Sequence, residues 1–121
     1  MKPELRAYLG KEVEIQIDRP LGSTHPQWPE MRYPINYGFL PGTVSGDGHP
    51  IDVYLLGVDE PVQTARGTVI AVVVRADDDE DKLVVAPHGA RFTHDQICGL
   101  LEFQERYFST RLEMYPGLRT E

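Results

Sequence analysis

The sequence predicts a mainly β chain closed by one C-terminal amphipathic helix, an α+β arrangement that a small barrel or a strongly curved sheet satisfies. Three observations predict it. Eleven glycines and ten prolines in 121 residues favour short strands and many turns over a helical bundle. Five separate segments carry strand patterning, and only the last third of the chain shifts to a 3.6-residue apolar period.

Taken in order, Val13-Glu14-Ile15-Gln16-Ile17 alternates apolar and polar residues, as a half-buried strand does. Asp18 to Pro34, rich in Pro, Gly and polar residues, is too long for a simple turn and predicts an ordered loop with contacts of its own. Tyr37–Leu40 and Ile51–Leu56 are short strands, separated by turn chemistry from Gly42 to Pro50. Thr68–Val74 and Leu83–Ala86 are buried strands joined by the acidic stretch Asp77–Asp81. Thr93 followed by Gln96 is a capping-box signature. Ile97, Leu100, Leu101, Phe108, Leu112 and Tyr115 then predict one helical face, with Pro116-Gly117 as its stop. Cys98 is expected to be buried on or beside this helix, and Trp28 to be a loop anchor or a subunit contact.

Length and a 40% hydrophobic content suit a single domain over residues 1–121. A net charge of −7 disfavours a nucleic-acid partner, which calls for a basic face. Cys98, the lone cysteine, excludes an internal disulfide and fits a reducing compartment. Met1–Glu12 lacks an apolar targeting core, and the longest aliphatic run, Val69–Val74, is too short to cross a bilayer. A cytoplasmic protein with no membrane partner is the expectation.

Four stretches could carry chemistry. In Asp47-Gly48-His49-Pro50-Ile51-Asp52, three metal-capable side chains lie within six residues on a loop entering a strand. Carboxylates so placed suit a hard divalent cation, and the same pattern also serves as a plain hairpin turn. Tyr33-Pro34-Ile35-Asn36-Tyr37-Gly38-Phe39-Leu40-Pro41-Gly42 offers hydroxyl and amide donors on a frame stiffened by prolines, or ordinary strand packing. Asp77 to Asp81 before Lys82 is a solvated hairpin tip, or half of a cation site with Lys82 aimed at an anion. Tyr107 lies one predicted helical turn before Arg111, a phenol and a guanidinium that could meet an anion together.

Together these segments resemble the soluble family I inorganic pyrophosphatases. The family signature Asp-Gly-Asp-Pro-hydrophobic-Asp-hydrophobic is matched by Asp47-Gly48-His49-Pro50-Ile51-Asp52-Val53. Tyr33 to Phe39 matches the preceding Tyr-Pro-x-Asn-Tyr-Gly-aromatic segment, and Lys82-Leu83-Val84-Val85-Ala86-Pro87-His88 matches the strand and exit that follow an acidic turn. The likeness runs from about Ile15 to Leu112, in the family's order. It implies an OB-like five-stranded β-barrel closed by an amphipathic helix, with a pocket at one mouth, that hydrolyses pyrophosphate to two phosphates with Mg²⁺. It implies Asp47, Asp52, His49, Asp77 and Glu80 as metal ligands. Arg19, Lys82, Tyr107 and Arg111 would bind substrate, and Asp52, His49 and Tyr37 would stand at the reacting centre. A homo-oligomer is implied as well.

The sequence departs from the family pattern at several points. His49 replaces the middle signature aspartate; an imidazole does not bridge metals as a carboxylate does, and it shifts preference toward Mn²⁺, Co²⁺ or Zn²⁺. The family's N-terminal strands have no counterpart ahead of Val13, and Phe108 stands where a lysine follows the helix tyrosine, leaving Arg111 to compensate. A second reading stays open on these grounds: a catalytically impaired relative that binds phosphate or metal in a regulatory or assembly role. His25 lies on the long loop within reach of the pocket, and His88 and His94 are expected at surface or capping positions.

Overall fold

Strand β1 (Glu12–Arg19) follows the predicted alternation, with Ile15 and Ile17 buried and Glu12, Glu14 and Gln16 exposed. In a computed structural model describing residues 5–46, 48–77 and 80–115, it is followed by β2 (Asn36–Leu40), β3 (Ile51–Leu55), β4 (Thr64–Arg75) and β5 (Lys82–Ala86). Helix α1 (His94–Glu105) and a sixth strand, β6 (Thr110–Met114), complete the fold. The sheet order is β1-β2-β3-β5-β4-β6, and a further pairing of β1 with β4 closes the first five strands into the OB-like barrel. β3 and β5 are parallel; the other pairs are antiparallel.

Closure demands that strands cross at short range. At Gly38 a Cβ would lie 1.9 Å from the Gln16 carbonyl oxygen, and at Gly67 it would lie 2.4 Å from that of Ala86. Both glycines stand where backbone meets backbone, and no side chain fits there. β1 carries a bulge between Ile17 and Arg19 and β4 one between Val69 and Ala71, which supply the bend.

The core has two layers, one inside the barrel and one on its outer face. Ile15, Ile17, Ile51, Val53, Leu55, Val69, Leu83 and Val85 fill the interior. Tyr54, Leu56, Ile70, Val73, Val84 and Ala86 face outward under Ile97 and Leu101 of α1. Burial on both faces explains why the middle strands are near-continuous apolar runs in the sequence.

The capping box forms as expected: the Thr93 hydroxyl accepts from Gln96 N at 3.1 Å, and Thr93 N donates to Gln96 Oε1 at 2.8 Å. The helix, however, ends at Glu105. Phe108, Leu112 and Tyr115 are not on its face, and Pro116-Gly117, expected to stop it, lies outside the described residues. Leu112 and Met114 alternate along β6, pack on the outer core layer and pair with the open side of β4 from Ala71 to Arg75. Leu112 fits a helical stripe with Phe108 and Tyr115, but with Met114 it alternates as a strand does, and the exposed β4 edge decides for the strand. Ser109 N donating to Asp77 Oδ2 at 3.0 Å, with Ala76 N donating to Ser109 O at 2.8 Å, fixes the reversal. Cys98 is exposed, contrary to expectation, because the buried stripe of α1 is Ile97, Leu101 and Glu105. Of the stretch Asp18 to Pro34, expected to be a loop throughout, Asp18 and Arg19 extend β1, and the remainder is an ordered loop bridged between Thr24 and Arg32.

Candidate active site

Strand alternation sends Ile51 and Val53 into the barrel and presents Asp52 and Tyr54 on its outer face. The register of β2 on β3 sets Tyr37 beside Tyr54, and the parallel register of β3 on β5 brings the start of β5 next to Asp52. The cleft therefore lies against the outer sheet face, beside the C-terminal end of α1, and not within a barrel mouth.

Lys82 is its organising group. The side chain is 2% exposed, and Nζ donates to Asp52 Oδ2 at 2.7 Å, Tyr37 OH at 2.7 Å and Glu80 Oε1 at 2.9 Å. A buried ammonium is tolerated only with such partners. Burial pushes the Tyr37 phenol well above its ordinary value, with Asp52 adding to the rise, so it stays a donor at neutral pH. Burial alone would raise Asp52, but a hydrogen bond with Glu80 and the Lys82 ammonium outweigh it and hold Asp52 below the usual carboxylate range. Glu80 goes the other way, pushed up to about 7 by that same hydrogen bond with Asp52 and by burial. The two carboxylates thus share a proton near neutrality. A divalent cation relieves such a pair in the proton's place, and carboxylate oxygens are the donors a hard ion prefers. The pair fits a metal in kind. Among the described residues no third His, Cys, Asp or Glu completes a cluster with it.

A second network underlies the first. Arg75 Nε donates to Glu105 Oε1 at 3.0 Å and Nη2 to Oε2 at 2.6 Å, both residues being buried. Tyr54 OH donates to Glu105 and accepts from Gln104 Nε2 at 2.7 Å. The Arg75 guanidinium lies 3.6 Å over the Phe108 ring. This ties the end of β4 to the last turn of α1.

Of the residues expected at the site, Arg19, Tyr37, Asp52, Lys82 and Tyr107 line one cleft of about 950 Å³, and Glu80 meets it through Lys82. Tyr107 follows the helix and is exposed. Asp77 does not face the cleft; its carboxylate accepts from Ser109 N. Arg111, on β6 and not one helical turn from Tyr107, is exposed beside Glu113 and lines no part of the cleft. His49 is exposed on the loop before β3, outside the cleft lining, with its carbonyl accepting from Ser45 N at 2.7 Å. Asp47 lies outside the described residues, as do Asp78 and Asp79.

Arg75, Gln104 and Glu105 did not stand out in the sequence. The available signals were a charge ending the apolar run of β4 and a carboxylate eight residues after Ile97 on the same helical stripe.

The sequence profile of a family described as inorganic pyrophosphatase matches residues 9–113. The chain belongs to the inorganic pyrophosphatase family. Curated relatives include inorganic pyrophosphatases of Sulfolobus acidocaldarius, 35% identical over 85 residues that cover 65% of this chain and 44% of that protein, and of Aquifex pyrophilus, 29% identical over 123 residues that cover 89% and 70%. The chain spans about half the length of most curated relatives it matches. Among solved structures, an inorganic pyrophosphatase from Ehrlichia chaffeensis aligns with a TM-score of 0.68 at 22% identity, over 91% of this chain and 90% of that one. One from Neisseria gonorrhoeae aligns with a TM-score of 0.67 at 20% identity, over 89% and 85%. At these identities the likeness establishes the barrel-and-helix fold.

Proposed function

We propose that the chain hydrolyses inorganic pyrophosphate to two phosphates with divalent metal. The observation that carries this reading is the Lys82–Tyr37–Asp52–Glu80 cluster on the floor of a cleft, in a chain of this family. A phosphoanhydride asks for donors on its equatorial oxygens, neutralisation of its charge and a water set in line. Arg19 and Lys82 supply positive charge, and the protonated Tyr37 supplies a hydroxyl donor. Asp52 and Glu80 are the groups to hold a cation. Bound there, a divalent ion withdraws charge from the phosphates and acidifies water. Asp52, ionised near neutrality, can take the proton that the attacking water gives up. The water oxygen joins one phosphorus while the bridging oxygen departs with the other phosphate.

Mg²⁺ is the cation of first choice for an all-oxygen site, with Mn²⁺, Co²⁺ or Zn²⁺ admitted if His49 turns toward it. A single domain over residues 1–121, self-association into a homo-oligomer, and residence in the cytoplasm without nucleic-acid or membrane partners belong to the same reading. Its supports are the acidic balance and the lone Cys98. No helix among the described residues is long and apolar enough to cross a membrane. Phosphate release from pyrophosphate with Mg²⁺, Mn²⁺, Co²⁺ and Zn²⁺ in turn tests the activity. Turnover no higher than that of Asp52→Asn with every metal ends the reading, and calorimetric binding without turnover assigns the chain to the impaired, phosphate-binding class.

A further inference from the structure

The Lys82 floor occupies one end of the cleft. At about 950 Å³ the whole cavity is near the top of the roughly 300–1,000 Å³ that houses drug-sized ligands, and a diphosphate fills only a small part of it. Away from the floor the lining turns aromatic. The Tyr37 ring, 5.3 Å from Lys82 Nζ, lies 5.5 Å from Tyr33. His25 stacks on Tyr33 at 6.3 Å with ring planes 7° apart, and Trp28 stands 6.4 Å from His25. Trp28 is 57% exposed, and Arg32 and Arg106 line the cleft with it. The wall is preformed: His25 N donates to Met31 O at 2.9 Å, and Met31 N to Trp28 O at 2.8 Å. An inorganic polyanion gains little from aromatic faces. A heteroaromatic base gains stacking on Trp and His rings and on guanidinium planes.

We propose that this cleft takes a nucleoside diphosphate, its phosphates on the Lys82 floor and its base against Trp28 and His25. The proposal extends the phosphoanhydride-hydrolase reading and rests on it for the chemical step. In that step the oxygen of water bonds to the terminal phosphorus and the bond from that phosphorus to the bridging oxygen breaks. The bridging oxygen stays on the nucleoside monophosphate, orthophosphate leaves, and the proton of water passes through Asp52 to solvent.

Trp28 is the sole tryptophan of the chain, so its emission reports on the wall directly. The full chain with Mg²⁺ is titrated with ADP, inorganic pyrophosphate and tripolyphosphate. ADP is expected to quench Trp28, to displace pyrophosphate and to yield AMP and phosphate, while the two inorganic anions leave the emission unchanged. By calorimetry, Trp28→Ala weakens ADP roughly tenfold with pyrophosphate turnover unaltered, and Trp28→Phe restores most of the loss. Circular dichroism confirms that both variants fold. ADP binding no tighter than tripolyphosphate, with unaltered emission, overturns the base-binding wall even if pyrophosphate is hydrolysed. ADP that binds and quenches but stays uncleaved while pyrophosphate is split overturns its standing as substrate. Quenching by ADP with neither compound cleaved removes the hydrolase reading and upholds the wall.

Discussion

Arg75 and Glu105 form a bidentate ion pair, Nε to Oε1 at 3.0 Å and Nη2 to Oε2 at 2.6 Å, in which the two side chains are only 3% and 8% exposed. The pair joins the end of β4 to the last turn of α1, and Arg75 lines the cleft itself. Planar guanidinium and carboxylate meet edge to edge, a match that lysine could not give. Tyr54 and Gln104 extend the network toward Tyr33, whose hydroxyl donates to Gln104 Oε1 at 3.4 Å.

Truncating one partner of such a pair leaves a desolvated charge. Glu105→Ala is therefore expected to cost about 3–5 kcal/mol in urea unfolding, while Glu105→Gln, which retains hydrogen bonding without the charge, costs less. Equal and small costs for both variants would show that the carboxylate charge contributes nothing to holding α1 against β4.

Gly38 predicts a sharper loss. A methyl group there would stand 1.9 Å from the Gln16 carbonyl oxygen and 2.7 Å from the Ile17 Cα. Only backbone movement could relieve the overlap, and that movement opens the β1–β2 seam of the barrel. Gly38→Ala is expected to destabilise by at least about 3 kcal/mol, whereas at Gly22, on the surface loop, an added Cβ would meet no non-adjacent atom within 4 Å, and Gly22→Ala mainly meets the strain of its φ of 87°. Thermal unfolding of the two variants side by side checks this.

What was legible in the sequence was local. Alternation in β1, the doubly buried runs of β4 and β5, the turn residues before β3 and the capping box at Thr93 each depend on neighbours a few residues away. Tyr37, Asp52 and Lys82 were found because the motifs carry them, and strand register then brings them together. The end of α1 was not legible. Leu112 fits a helical stripe with Phe108 and Tyr115 as well as a strand with Met114, and the deciding partner is the β4 edge, some 40 positions earlier in the register pairs Ala71 with Met114 and Val73 with Leu112. Arg75 and Glu105 escaped for the same reason, since each makes sense only opposite the other. The aromatic wall joins His25 and Trp28 to Tyr33 and Tyr37 through a loop whose path no local pattern specifies.

His49 offers a direct test of the signature departure. It is exposed on the loop three residues before Asp52, so exchanging it leaves the core untouched and stability within about 0.5 kcal/mol. His49→Asp restores a carboxylate at the family's middle aspartate position, and a hard cation prefers oxygen ligands. Mg²⁺-supported phosphate release is expected to rise, and the response to Mn²⁺, Co²⁺ and Zn²⁺ relative to Mg²⁺ to fall. A drop in the Mg²⁺ rate would assign the imidazole a role of its own.

Glu80 sets the pH dependence of the metal-free protein. Its carboxyl stands at about 7 in the folded chain, raised from 4.5 by the hydrogen bond with Asp52 and by burial. Between those values the folded state keeps a proton that the unfolded chain has released, so the unfolded state binds fewer protons and stability falls as pH rises. The contribution is complete below about 4.5 and lost by the time pH passes 7. Asp52 is shifted below its ordinary 3.8, so its own window lies at more acidic pH and does not offset this one. In the presence of chelator, Tm is expected to decline from pH 5 to pH 7.5, and Glu80→Gln to flatten that decline by removing the titrating carboxyl. Mg²⁺ is expected to raise Tm more at pH 7.5 than at pH 5, because a cation replaces the proton between Asp52 and Glu80 only once the proton is free to leave. A Tm profile unchanged by Glu80→Gln would mean that the two carboxylates do not share a proton.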